Sequence, residues 1–259
     1  MTTVLIRSWN LFHGNTSPPG RHVHLEAMVE LATADRPDVV VLQEVPVWAL
    51  GRLAAWSGMQ SVGDVAQRPR LGPVPISTGA GRTLTDLRPG LLRSAFSGQA
   101  NAILLRGGLG IVARDVLTLN PAPFRREQAR ALGLDLVTRL AWSKERRVCQ
   151  VVRLASGLVV ANLHASSSPG DPRVPAVELE RATAFAEGFA GADDTVVIAG
   201  DFNCLAAHWA LEGYSEPGPG IDHVAVRGAV PSPLHVWPDE RRRRDGMLLS
   251  DHSPIELVL

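Results

Sequence analysis

The sequence predicts a mixed α/β fold in which β-sheets pack together with helices outside. Three observations carry this reading. Apolar runs of strand length outnumber the amphipathic helical stretches. Several of the strands succeed one another directly, which argues against a simple alternating parallel sheet. The chain has 259 residues, enough to bury a large core within one domain. Hydrophobic residues make up 45% and charged residues 20%, the ordinary balance of a soluble globular chain.

The elements follow in order. A strand is predicted over 4–9, where an apolar run ends at Trp9-Asn10. A helix over 24–35 places Leu25, Met28, Val29 and Ala32 on one face, and Pro37 stops it. A strand over 38–43 ends in Gln43-Glu44, and a helical stretch over 47–57 follows. Residues 62–99 then break the pattern. They are rich in Gly, Pro, Arg, Ser and Thr without clear periodicity, and read as a surface insertion in a single domain over 1–259. Strands resume over 101–106, 109–116, 148–154 and 158–163. A helix over 175–190 carries Ala182, Phe185, Ala186 and Phe189 on one stripe, a core-packing pattern. Strands over 195–200, 223–227 and 254–258 complete the chain.

The sharpest motif is Val196-Val197-Ile198-Ala199-Gly200-Asp201-Phe202-Asn203, a β-branched run delivering a carboxylate and an amide to its end. Gly200 leaves room for close approach of another backbone. In extended geometry Asp201 and Asn203, two apart, face the same way. Polar groups also end or open other apolar runs: Asn10, Gln43-Glu44, Asn162-Leu163-His164, Asp222-His223 and Ser250-Asp251-His252. Each alone is more often a turn or helix cap than a catalytic group. Together they form a set that such bland readings do not dismiss.

In that order, these blocks resemble the endonuclease/exonuclease/phosphatase superfamily, together with Asn101-Ala102-Ile103-Leu104 ahead of Arg106. The resemblance runs from residue 4 to 258. It implies a four-layered α/β sandwich, two mixed sheets face to face with helices outside, as in the deoxyribonuclease I-like fold. It identifies the superfamily well and the substrate poorly.

Phosphate-ester cleavage needs a cation to neutralise charge on the phosphate and the leaving oxygen. Magnesium, with manganese as a possible substitute, prefers carboxylate, carbonyl and water oxygens. Glu44 is the best direct ligand, Asn10 can add an amide oxygen or orient a metal-bound water, and the resemblance places Asp251 at the same cluster. His164 and His252 stand where imidazoles could donate to phosphate oxygens or exchange protons. A protonated histidine there needs a partner, and Asp222 is the candidate for His252 by the resemblance. Asp201 positions or deprotonates the attacking water and Asn203 orients it, while the identity of the base stays open. No serine, cysteine or threonine sits in a comparable position, so direct water attack without a covalent intermediate is expected. Asn101 is assigned to substrate.

Other features weigh less. Formal net charge is zero, which argues against a strongly basic nucleic-acid binder but leaves room for a local basic groove. Arg241-Arg242-Arg243-Arg244 is the sharpest charge run; it reads either as a solvated loop or as an overhang gripping substrate phosphates. Arg125-Arg126 and Arg130 are a second basic candidate. His13, His22 and His24 are irregularly spaced and read as a solvated loop. His223 is expected on the opposite side of its strand from Asp222. Two cysteines, Cys149 and Cys204, exclude a disulfide framework and a zinc–thiolate site. Cys204 reads as a small buried hydrophobe. No apolar stretch is long enough to span a bilayer, and a cytoplasmic location is the default.

The sequence therefore points to a magnesium-dependent phosphoesterase acting on a phosphate-ester substrate. A nuclease on DNA or RNA leads; the alternative is a phosphatase or phosphodiesterase for a phosphoinositide, sphingomyelin or other small ester. A non-catalytic binding module on the same fold is the second class, against which stands the retention of all these polar groups. No protein partner can be inferred.

Overall fold

β-Branched runs make the two principal sheets of the computed structural model, which describes residues 3–20, 22–87, 93–168, 170–209, 211–215, 218 and 220–259. Internal contacts gather the chain into two compact units, Met1–Leu109 with Pro231–Leu259, and Gly110–Val230.

In chain order the elements are β1 (Leu5–Asn10), β2 (Thr16–Ser17), α1 (Leu25–Thr33), β3 (Val39–Val45), α2 (Leu53–Ser57), β4 (Gln60–Gln67), β5 (Arg70–Leu71) and β6 (Val74–Pro75). Then come α3 (Thr78–Leu87), α4 (Arg93–Ser97), β7 (Gln99–Leu105), β8 (Ile111–Thr118), α5 (Ala122–Ala131), α6 (Leu136–Lys144), β9 (Val148–Leu154) and β10 (Leu158–His164). The last are α7 (Arg173–Glu187), β11 (Thr195–Asp201), β12 (Asp222–Arg227), β13 (His235–Val236), β14 (Arg243–Arg244), β15 (Met247–Leu249) and β16 (Ile255–Val258).

The first unit is built on the sheet β13-β16-β1-β3-β7-β4. It is mixed: β1 runs parallel to β3, whereas β16 and β7 pair antiparallel to their neighbours. Helix α1 lays Leu25, Met28, Val29 and Ala32 on this sheet, in one core with Trp9, Val40, Leu42, Ala102 and Leu104. The helix ends at Thr33, earlier than Pro37 implied; Arg36 has already turned into left-handed backbone at φ 56°. The described residues of 62–99 hold regular elements that the composition of the segment did not announce, and 88–92 lie outside the described residues. Residues 60–67 are the edge strand β4, paired antiparallel with β7, and its polar and glycine positions suit a strand with one unpaired side.

The second unit is built on the mixed sheet β12-β11-β10-β9-β8, with β10 parallel to β11. Leu179, Ala182 and Ala186 of α7 pack on Val159, Ala161, Val196 and Ile198, with Phe185 and Phe189 partly buried beside them. Helices α5 and α6 were absent from the sequence reading. Ala129 of α5, Leu134 of the intervening loop and Trp142 of α6 form a small separate core with Val174 of α7.

Candidate active site

In the first unit, strand register lines up the polar ends. Asn10 is the register partner of Gln43. The β3–β7 pairing matches Leu42 with Ala102 and Val45 with Ala100, so Asn101 lies opposite the Gln43-Glu44 step. That step is a bulge, and Glu44 takes left-handed backbone at φ 52°. A bulge re-aims a side chain. Gln43 stays buried and reaches Ser8 Oγ, while the Glu44 side chain keeps 18% of its surface in solvent.

His13 corrects the solvated-loop reading of the early histidines. It is buried, its Nε2 lies 3.2 Å from Glu44 Oε2, and its Nδ1 lies 3.2 Å from Ser97 Oγ. The ring braces the carboxylate that the sequence assigned to metal. The signal was available: His13 sits in a tight turn directly after the strand end that carries Asn10. His22 is exposed, and His24 is half-buried at the start of α1.

The Ser250-Asp251-His252 turn is tied to the end of β1. Ser250 Oγ donates to the Asn10 carbonyl at 2.7 Å, and Trp9 Nε1 donates to the His252 carbonyl at 2.9 Å. Arg242 fastens the same turn from outside: its buried guanidinium donates to the carbonyls of Leu249, Ser250 and His252. Asn10 Oδ1 accepts the Phe12 N–H at 2.9 Å, which closes the following turn. Asn10, Glu44, Asn101, Asp251 and His252 thus belong to one end of one sheet.

The arginine run divides. Arg241 pairs with Asp35 and Glu256 and stacks 3.5 Å from the Trp237 ring centre. Arg242 is consumed as described, with Asp239 as its ion-pair partner. Arg243 and Arg244 are exposed in β14, and Arg243 donates to the Gly246 carbonyl. An overhang gripping phosphates narrows to these last two.

In the second unit, His164, Asp201 and Asp222 are register partners across β10, β11 and β12 and so share a face. The two parallel strands approach so closely at this row that a Cβ on Gly200, at φ +144°, would meet the Leu163 carbonyl oxygen at 1.9 Å. His164 Nε2 lies 3.4 Å from Asp201 Oδ2.

The expectation that Asp201 and Asn203 share a strand face is corrected. The strand ends at Asp201, and Asn203 turns into left-handed backbone at φ 49°. Its N–H donates to Asp201 Oδ1 at 3.0 Å, and its Nδ2 donates to the Ala165 carbonyl at 3.0 Å. The turn hydrogen bond, not strand alternation, holds carboxylate and amide together.

Arg147 is a residue the sequence reading missed. Its NH1 donates to His164 Nδ1 at 3.0 Å, and it pairs with Glu145 at 2.5 Å. A guanidinium has no acceptor. His164 Nδ1 must therefore be bare and its proton must sit on Nε2, facing Asp201. The ring is thereby a donor from Nε2. Below it, Glu178 is fully buried and accepts from Trp142 Nε1, Ser166 N and Ser166 Oγ at 2.6, 2.7 and 2.7 Å. Burial pushes the Glu178 carboxyl up despite those donors.

Neighbouring groups fall on the structural side. Asn162 is buried and donates to Gln150. His223 faces away from Asp222, buried against Phe202 and Trp209, with Nε2 at 2.9 Å from the Cys204 carbonyl. Burial lowers its pKa, so it is neutral. Burial pushes the Cys204 thiol up to about 11, which makes it no nucleophile.

The family model described as the endonuclease/exonuclease/phosphatase family matches residues 8–252. The chain belongs to that family. Solved structures agree with it at the level of the fold. TDP2 from Caenorhabditis elegans matches at TM-score 0.65 and 14% identity over 99% of this chain and 74% of that one. A family protein from Beutenbergia cavernae matches at 0.63 and 16%, over 100% and 71%. A mannosyl-6-phosphatase from Bacteroides thetaiotaomicron matches at 0.59 and 16%, over 99% of both chains. No curated protein gives a significant match. The fold class is the expected deoxyribonuclease I-like α/β class, with a mixed sheet and flanking helices in each unit. Among the described residues, no helix is long and apolar enough to cross a membrane.

Proposed function

We propose that this family member is a divalent-metal-dependent phosphoesterase that hydrolyses phosphodiesters by direct attack of water. The observation that carries this reading is the row His164–Asp201–Asp222, with Asn203 clamped to Asp201 and Arg147 fixing the His164 tautomer. Asp201 receives the proton of the attacking water, Asn203 holds that water, and the single His164 Nε2–H, whose 3.4 Å separation from Asp201 is long, is shared with a phosphate oxygen. His252 serves the same phosphate, oriented by Asp222.

The donors Glu44, Asn10 and Asp251 are all oxygens, and the first two flank one bulge with a braced, partly solvated carboxylate. That set fits magnesium, or manganese in its place. When bound, the ion supplies charge neutralisation on the phosphate and the leaving oxygen.

The finer reading is a nuclease on DNA or RNA, with Arg243 and Arg244 holding backbone phosphates and Asn101 touching substrate. One observation favours a second reading, a phosphatase or phosphodiesterase for a small ester: Arg241 and Arg242 are occupied within the protein. Both readings keep the enzyme in the cytoplasm.

The test is turnover of DNA, abasic DNA, RNA, phosphoinositides and soluble phosphodiesters with magnesium. Activity should vanish with excess chelator, and Glu44→Gln should raise the metal requirement with little loss of folding. Full activity in chelator rules the reading out. His252→Ala and Asp222→Asn should each cut turnover by about 10²-fold or more. The double variant should lose little beyond the worse single one. Losses that simply multiply would separate the two residues.

A further inference from the structure

Helix α6 turns its greasy side outward. Leu136, Val137 and Leu140 are 68%, 78% and 54% exposed, three of the large apolar side chains the protein leaves in solvent. At 3.6 residues per turn they form one stripe, bordered by Arg139 on one side and capped by Lys144 in the helix's last turn. The stripe is not the result of a loosely seated helix. Its inner side is anchored by Trp142, which packs edge-on against Phe124 and donates to the buried Glu178 carboxyl.

The surroundings are positive in a chain whose formal net charge is zero. Residues 122–146 carry six basic side chains, Arg125, Arg126, Arg130, Arg139, Lys144 and Arg146, against three acidic ones, Glu127, Asp135 and Glu145. Two of the acidic groups are occupied: Asp135 caps α6 at Thr138, and Glu145 pairs with Arg147. Next to the stripe, Arg125, Arg126 and Arg139 with Trp142 line a cavity of about 230 Å³. Burial first, then repulsion from Arg146 and more weakly from Arg126, pulls the Arg125 pKa below the ordinary arginine value against the attraction of the buried Glu178.

We infer that the α5–α6 face docks on an anionic phospholipid surface, with Leu136, Val137 and Leu140 entering the acyl boundary and Arg125, Arg126 and Arg139 receiving a lipid phosphate. Exposed apolar side chains ringed by arginine and lysine are what an interfacial helix needs. A nucleic-acid backbone would use the arginines but would give the leucines nothing to bury against. The inference does not depend on the reaction proposed above.

The experiment is flotation of the intact protein with vesicles of phosphatidylcholine alone and of equal parts phosphatidylcholine and phosphatidylserine. Binding should appear only with the anionic vesicles and weaken with salt. Leu136→Ser with Leu140→Ser, and separately Arg126→Gln with Arg139→Gln, should each reduce partitioning by about tenfold. All four positions are exposed, and thermal unfolding of the variants verifies that the fold persists. Equal binding to both vesicle types, or no binding by the unaltered protein, overturns the inference. So does a duplex oligonucleotide whose binding depends on the arginines alone, with no vesicle binding. A dimer in solution that Leu136→Ser with Leu140→Ser dissociates would assign the face to a second copy of the chain instead.

Discussion

Arg147 decides the chemistry of His164 because a guanidinium can only donate. Its 3.0 Å contact leaves Nδ1 as the acceptor and sends the imidazole proton toward Asp201. Protonating Nδ1 would place two cations in contact, within a site where both side chains are buried. Arg147→Met should remove this constraint and allow His164 to take the other tautomer or a second proton. We expect turnover to fall by about tenfold to a hundredfold, the usual cost of losing a partner that orients an active-site histidine. A new dependence on pH near the ordinary histidine range of about 6.5 should appear. Arg147→Lys should recover part of the rate, since a lysine also only donates. A variant with lower stability but an unchanged pH profile would make Arg147 a packing residue. His164 was legible in the sequence as a polar strand end. Arg147 was not, because it lies ahead of β9, its partner ends β10, and nothing in the local pattern marks one arginine among many.

At the scale of elements, the sequence was readable wherever burial imposed a period. Strands β3, β9, β10 and β11 appear as valine-rich or isoleucine-containing runs because both their faces are covered. Helix α7 showed its stripe because one face meets the sheet. Three other elements hid for physical reasons. Strand β4 is an edge, with a polar and glycine-containing sequence. Helix α6 turns Leu136, Val137 and Leu140 to solvent, so its apolar residues do not report a core face. The Glu44 bulge depends on pairing with β7, which local sequence does not encode. Gly200 offers a test of the element that carries Asp201. A methyl group there must displace the Leu163 carbonyl from 1.9 Å and hold an L-residue at φ +144°. Gly200→Ala should therefore cost roughly 2–5 kcal/mol of stability, measurable by urea unfolding. A variant unfolding at the same urea concentration as the unaltered protein would mean that β10 and β11 do not approach as described.

At the scale of the molecule, one ion network joins residues from both ends of the sequence within the first unit. Arg7 is fully buried on β1, and its guanidinium bonds to Asp35 after α1, to Glu256 on β16 and to the Ala32 carbonyl. Trp237 lies against Arg7 at 4.5 Å and Arg241 at 3.5 Å, so one ring is flanked by two cations that share the same two carboxylates. The hydrogen bond from Arg7 lowers the Asp35 pKa although burial opposes it. Burial would raise Glu256, but the nearby Trp237 indole and the hydrogen bonds and charge of Arg7 outweigh it and the net shift is downward. Both folded carboxyls are thus more acidic than in the unfolded chain. Their contribution is fully present above the unfolded value of about 4 and is lost as pH falls through the lowered folded values. Arg7→Met should cost about 3 kcal/mol near neutral pH, because it leaves two carboxylates without their buried cation. The same substitution should cost much less at about pH 3, where protonation has begun to leave Arg7 itself as the uncompensated charge. Urea unfolding of both proteins at the two pH values measures the difference. If the stability gap were the same at both, the network would owe its strength to packing around Trp237, and the carboxylates would contribute little.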